Sequence, residues 1–161
     1  MRKIFAAILL PTIIMFWVAL PAYAAEPAKP ERTQQTVELG NNRFLIFVGE
    51  PNDDLYAYTA DLIVLKNGIP HFEPLFMEEY DAESNAVNLS EGLVFQAKNY
   101  HYDKADSTLD ITTEDAQKQN RFEYKYHLDT DIMKLKDVIM QNIGGQTSAP
   151  IILYRAEKGG K

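Results

Sequence analysis

The residues with the most obvious chemical capacity are carboxylates in close pairs: Glu78 with Glu79, Asp53 with Asp54, Asp129 with Asp131, and Asp103 with Asp106. Two carboxyls at a fixed gap across a sugar cleft are the machinery of glycoside hydrolysis. Acidic loops can also supply the roughly six to eight oxygens that calcium takes. Each pair falls in a segment that reads as a turn, where aspartate is favoured because its side chain bonds the local backbone. No DxDxDG loop is present, and no spacing singles out a catalytic pair.

Nucleophilic and metal chemistry have weaker support. The chain has no cysteine, and Ser84, Ser90, Ser107 and Ser148 stand outside any GxSxG elbow. Of the three histidines, His71, His101 and His127, two sit beside tyrosines and would meet only if their hairpins are neighbours. A zinc site wants a third ligand and usually a spaced motif such as HExxH, which is absent. The expectation is a protein that is not an enzyme and has neither metal nor cofactor.

Tyrosines suggest recognition instead. Tyr100 and Tyr102 alternate in one stretch, Tyr124 and Tyr126 in another, so each pair falls on one side of a strand. Lys98 and Lys125 lie among them. A tyrosine-bearing sheet face offers large area with polar tips to a peptide, glycan or protein. The same alternation also describes cross-strand aromatic packing at a core or its rim. A second candidate is the acidic segment Glu78–Glu83, a connection flanked by Phe76 and Tyr80 that could insert into a basic partner. The candidate binding residues are therefore Glu78, Glu79, Tyr80, Asp81, Glu83, Tyr100, Tyr102, Tyr124 and Tyr126.

The elements that must hold these side chains are strands. Asn99–Gln141 reads as two β-hairpins end to end, rising through tyrosines, turning on aspartates and returning through alternating aliphatics. Earlier strands are expected at Thr36–Leu39 and Arg43–Val48 around Gly40-Asn41-Asn42, and at Leu55–Lys66 with a bend or bulge at Asp61. After the Asn67-Gly68 turn comes Ile69–Met77, which Pro70 and Pro74 reduce to an edge or broken strand. Glu78–Ala86 reads as an acidic connection, followed by strands at Val87–Leu89 and Leu93–Tyr102. Thr108–Thr113 returns, and Thr113–Ala116 could cap one helical turn. Phe122–Leu128 and Ile132–Met140 make the last hairpin, with a bulge near Lys136-Asp137 to reconcile Met133 and Leu135 with Val138 and Met140. Ile151–Tyr154 closes the sheet. A weak echo of aromatic, aspartate, turn and aliphatics is too short for a propeller blade of about 40 residues. The fold class is all-β: one antiparallel domain of eight or nine strands, a β-sandwich or an up-and-down barrel built as a meander.

The N-terminus carries an export signal. Arg2 and Lys3 precede the apolar run Ile4–Leu20, interrupted at Pro11 and Thr12, and Ala22-Tyr23-Ala24 places cleavage before Ala25. Read as a retained anchor, the run is shorter than the about 20 residues a spanning helix needs. The organisation is then residues 1–24 signal peptide, 25–35 flexible lead-in with two prolines, 36–156 β domain and 157–161 loose tail. Loss of Arg2 and Lys3 takes the net charge from −7 to −9. Such acidity disfavours non-specific binding to nucleic acid or anionic lipid and suits a basic partner. An exported chain without cysteine must rely on its apolar core, which fits a bacterial periplasmic or secreted protein. The function expected is non-catalytic binding of a protein or glycan in the bacterial envelope, inhibition of a basic enzyme being one form of it. The alternatives are a carrier of a lipid or other apolar ligand in a barrel interior, an envelope-assembly component and a carboxylate-dependent hydrolase.

Overall fold

The computed structural model describes residues 31–145 and 148–157. The expected signal peptide, its expected cleavage site and the expected lead-in up to residue 30 lie outside the described residues, as do residues 158–161 of the tail. The described chain is all-β, with twelve strands and no helix. In order they are β1 (Thr33–Gly40), β2 (Arg43–Asn52), β3 (Leu55–Lys66), β4 (Ile69–Glu73), β5 (Phe76–Asp81) and β6 (Ala86–Glu91). Then come β7 (Leu93–Ala97), β8 (Asn99–Asp103), β9 (Thr108–Glu114), β10 (Asn120–Asp129), β11 (Ile132–Asn142) and β12 (Ile151–Arg155).

Period-2 alternation builds most of them. In β2, Leu45, Phe47 and Gly49 are buried while the residues between them are not, and in β7 Leu93, Phe95 and Ala97 point inward between exposed neighbours. The turns use residues that tolerate positive φ, as at Asn41-Asn42 and Asn67-Gly68. Gly49 has a different reason. It pairs with Tyr58, whose ring lies across it, and a Cβ there would strike that ring and the Thr33 hydroxyl.

The strands form two sheets. In the first, β1, β2 and β3 pair antiparallel in order, and β4 and β7 share the far edge of β3. The second runs β6-β5-β11-β10-β9-β8, with β12 beside β5 on one edge of β11. The pairing of β5 with β11 is parallel, at Ile132 with Phe76 and Met133 with Met77. Leu45, Phe47, Leu62 and Leu93 of the first sheet and Leu109, Met133, Leu135 and Val138 of the second are fully buried in a common core. Rings join the sheets directly: Tyr100 lies 4.9 Å from Phe47 and 4.6 Å from Tyr58.

The architecture departs from the expected meander of eight or nine strands in several places. The chain changes sheet at Pro74-Leu75, at Gly92 and at Lys98, and one strand pair is parallel. Leu93–Tyr102 is not one strand. Its inward residues switch from odd positions (Leu93, Phe95, Ala97) to even ones (Tyr100, Tyr102), and Lys98 marks the switch by donating its N–H to Thr112 rather than to β3. No bulge occurs at Asp61, where β3 stays in register and simply turns this residue to solvent between buried Ala60 and Leu62. Thr33–Gln35 belong to β1 rather than to a lead-in; their polar side chains are exposed on an edge strand held by its ladder to β2. Thr113–Ala116 runs from β9 into a turn, because the Asp115 carboxylate accepts the N–H groups of Gln119 and Asn120 and closes the loop. The bulge expected near Lys136 is present: Lys125 faces Asp137 while Tyr126 faces Leu135, leaving Lys136 unpaired in the ladder.

Candidate functional site

Where β7 crosses over β5, β9 and β10, the sheets leave an open cleft of about 380 Å³. Its walls come from three strands of the second sheet and one of the first. On β10, Tyr124 and Tyr126 are two apart and so share the inner face. Ile111 of β9 sits opposite Tyr124 in register, and Thr113 follows it on the same face. On β5, Met77 and Glu79 are likewise two apart, Met77 buried and Glu79 at the rim. Phe95 and Gln96 of β7 close the other side.

Tyr80 is fixed at the edge of this cleft. Its hydroxyl lies 3.2 Å from the Leu153 carbonyl oxygen and 3.1 Å from Asn85 Oδ1, and its ring lies 5.6 Å from that of Tyr154. It thereby ties β5 to β12. The lining carries one carboxylate, that of Glu79, and no basic side chain. Among the described residues Glu79 forms no ion pair. Burial raises the pKa of the Tyr124 hydroxyl above the usual tyrosine value. For Tyr126 burial is again the main cause of a rise, with Tyr124 and Glu79 adding to it. Both tyrosines are therefore neutral near pH 7, and the negative charge of Glu79 is felt at the cleft floor.

Four of the sequence-derived candidates, Glu79, Tyr80, Tyr124 and Tyr126, meet in this cleft, and the other five do not. β8 and β10 are separated by β9, so the tyrosines lie in two rows, Tyr100 with Ile111 and Tyr124, and Tyr102 with Leu109 and Tyr126. All four face the opposite sheet, as in cross-strand aromatic packing, and of them Tyr124 and Tyr126 line the open cleft. Tyr102 is buried. Tyr100 packs among Phe47, Tyr58 and Phe95 and donates its hydroxyl to Gln35 Oε1 at 2.8 Å.

The acidic segment is not a loop. Glu78, Glu79, Tyr80 and Asp81 are strand β5, and only Ala82–Asn85 turns. Glutamate has low strand propensity, but pairing with β6 along Phe76–Asp81 imposes the conformation. Glu78 Oε2 accepts the Leu135 N–H at 2.9 Å. The Asp81 carboxylate accepts the Ser84 hydroxyl and the Glu83 N–H, bonds that hold it below the usual aspartate range. Glu83 is exposed on the turn.

Some of the remaining carboxylates are compensated locally, while Asp53, Asp103, Asp106 and Asp131 form no ion pair among the described residues. Asp54 pairs with Lys118 at 2.7 Å, Glu114 with Lys98 at 2.6 Å and Arg121 at 3.1 Å, and Asp129 with Lys134 at 2.5 Å. A larger depression of about 470 Å³ at the Asp53-Asp54 turn is lined by the Asp54–Lys118 and Glu114–Lys98 pairs together with Asp53 and Asp115, the latter satisfied by the Gln119 and Asn120 N–H groups. His101 lies on the outer face of the second sheet, opposite Asp110. Register continues that row through Lys125 and Asp137 to Arg155, an alternation of charge across the sheet. No group of three His, Cys, Asp or Glu suited to a metal occurs among the described residues.

Sequence reasoning missed the contributions of Met77, Phe95, Gln96, Ile111 and Thr113. The available signal was the change of parity between Ala97 and Tyr100, which marks β7 and β8 as belonging to different sheets. Comparison of the chain with protein-family models, with curated proteins and with solved structures finds no match.

Proposed function

We propose that this chain is an exported, non-catalytic binding protein of the bacterial cell envelope, and that the cleft holding Glu79, Tyr80, Tyr124 and Tyr126 is its recognition site. After cleavage before Ala25 the working unit is a β-sandwich whose two sheets part along one side. The observation carrying this reading is convergence: β5, β7, β9 and β10 bring an aromatic floor and one unpaired carboxylate to a single open cleft. Apolar walls with few oriented polar groups are the usual make-up of a ligand site. The acidic turns are weaker candidates because Asp54 and Asp129 are held in ion pairs and the Asp81 and Asp103 carboxylates accept N–H groups of their own turns. A carrier with an internal lumen is disfavoured by the side chains that fill the space between the sheets, from Leu45 and Phe47 to Leu135 and Val138. The outer face of the first sheet is apolar at Phe72 and Val94, yet carries no comparable arrangement of groups to orient a ligand.

The test is retention of an envelope partner by immobilised Ala25–Lys161. The Tyr124→Leu variant should lose that partner, while Lys125→Ala, altered on the opposite sheet face, should keep it. Equal retention by both variants would reject the cleft as the site.

A further inference from the structure

The chemistry of the cleft narrows what it can hold. An aromatic ring presents a negative face, so a cation over tyrosine or phenylalanine is attracted to it, the more so where water is excluded. Tyr124 and Tyr80 line this space half-buried, with Tyr126 and Phe95 buried beneath them, and the two tyrosines on β10 stay neutral. Glu79 stands at the rim without a cationic neighbour among the lining residues. Asp54, Glu114 and Asp129, by contrast, each have a lysine within 2.7 Å. An anionic ligand would meet an uncompensated carboxylate, and a neutral apolar one would leave that charge against an apolar surface. The net charge, −7 for the full chain and −9 for Ala25–Lys161 without Arg2 and Lys3, adds a long-range attraction for cations.

We infer that the cleft recognises an organic cation, an ammonium head on an apolar stem, seated against Tyr124 and Tyr126 with Glu79 as its counter-ion. On a protein partner that group is a lysine side chain. The volume of about 380 Å³ admits the stem as well as the head. This inference rests on the cleft being the recognition site, and the experiment below separates the two statements.

Three probes are titrated into Ala25–Lys161 by calorimetry and heteronuclear NMR: choline, its neutral carbon isostere dimethylbutanol, and a lysine-rich peptide. The cationic probes should bind with shifts at Tyr124, Tyr126 and Glu79, and choline should bind about tenfold more tightly than the isostere. The Glu79→Gln variant, altered at an exposed position, should weaken choline and peptide by about tenfold and leave the isostere unchanged. A tighter fit for peptide than for choline would identify the source as a protein lysine, and the reverse would identify a free amine. Equal binding of choline and isostere, insensitive to Glu79→Gln, would overturn the cation inference and leave the cleft reading standing. Absence of binding by every probe, with Tyr124→Leu still abolishing partner retention, would do the same. Shifts confined to residues away from the cleft would reject both.

Discussion

Glu78 and Glu79 are adjacent acids with opposite expected roles, and separating them is the most informative perturbation of this fold. Strand β11 is flanked on one side by β5 as far as Met133 and by β12 from Asp137 onward. The N–H of Leu135 falls in the gap between them, and Leu135 is 1% exposed. Its partner is the Glu78 carboxylate at 2.9 Å. Removing that acceptor leaves a buried donor unpaired, at a cost of about 1–3 kcal/mol. Glu78→Ala should therefore lower the unfolding free energy by about 2 kcal/mol. Glu78→Gln keeps an acceptor oxygen and should lose about half as much. Glu79→Ala removes a side chain with no ion pair from an exposed position and should stay within about 0.5 kcal/mol of wild type. Urea titration of all three variants measures this, provided the slope is unchanged. Glu78→Ala with wild-type stability would mean that water or backbone satisfies Leu135 and that β5 and β12 do not depend on this bond. A Glu79→Ala loss as large as that of Glu78→Ala would contradict the separation of roles.

Two other outcomes follow from the same coordinates. Gly49→Ala should destabilise by about 1–3 kcal/mol, the range for overpacking, because the new methyl meets the Tyr58 ring; a midpoint equal to wild type would show that this ring shifts freely. Hydrogen bonds from Lys98 and then Arg121 hold the Glu114 carboxyl below its usual 4.5. A depressed carboxyl contributes stability above its unfolded pKa and loses it as pH falls through the folded value. Stability should therefore decline below about pH 4.5, with a shallower decline in Glu114→Gln; identical acid limbs would refute the contribution of this pair.

Local features were readable from residue types, and sheet membership was not. Asn67-Gly68 and Asn41-Asn42 announce tight turns because only such residues take positive φ cheaply. The Lys136 bulge was legible because Met133 and Leu135 fall out of phase with Val138, and one extra residue restores the phase. β5 was hidden by composition: Glu78-Glu79 and Asp81 suggest a solvated connection, and only the ladder to β6 makes them a strand. The tyrosine alternation in 99–126 was read correctly as strand, but alternation states only that side chains share a face. Whether that face meets water or another sheet depends on the crossings at Leu75, Gly92 and Lys98, which are tertiary events. The cleft exists because of those crossings, so it could not be assembled from the strands one at a time.

The central claim is that a partner enters between the sheets beside Phe95 and Tyr124. The most direct test places a photo-crosslinking side chain at Gln96, an exposed position on the cleft wall, and in a second strain at Lys125, on the opposite face of the second sheet. After irradiation of intact bacteria, the account predicts a discrete cross-linked species from position 96 and none from position 125. A cross-link from position 125 alone would place recognition on the outer charged face and contradict it.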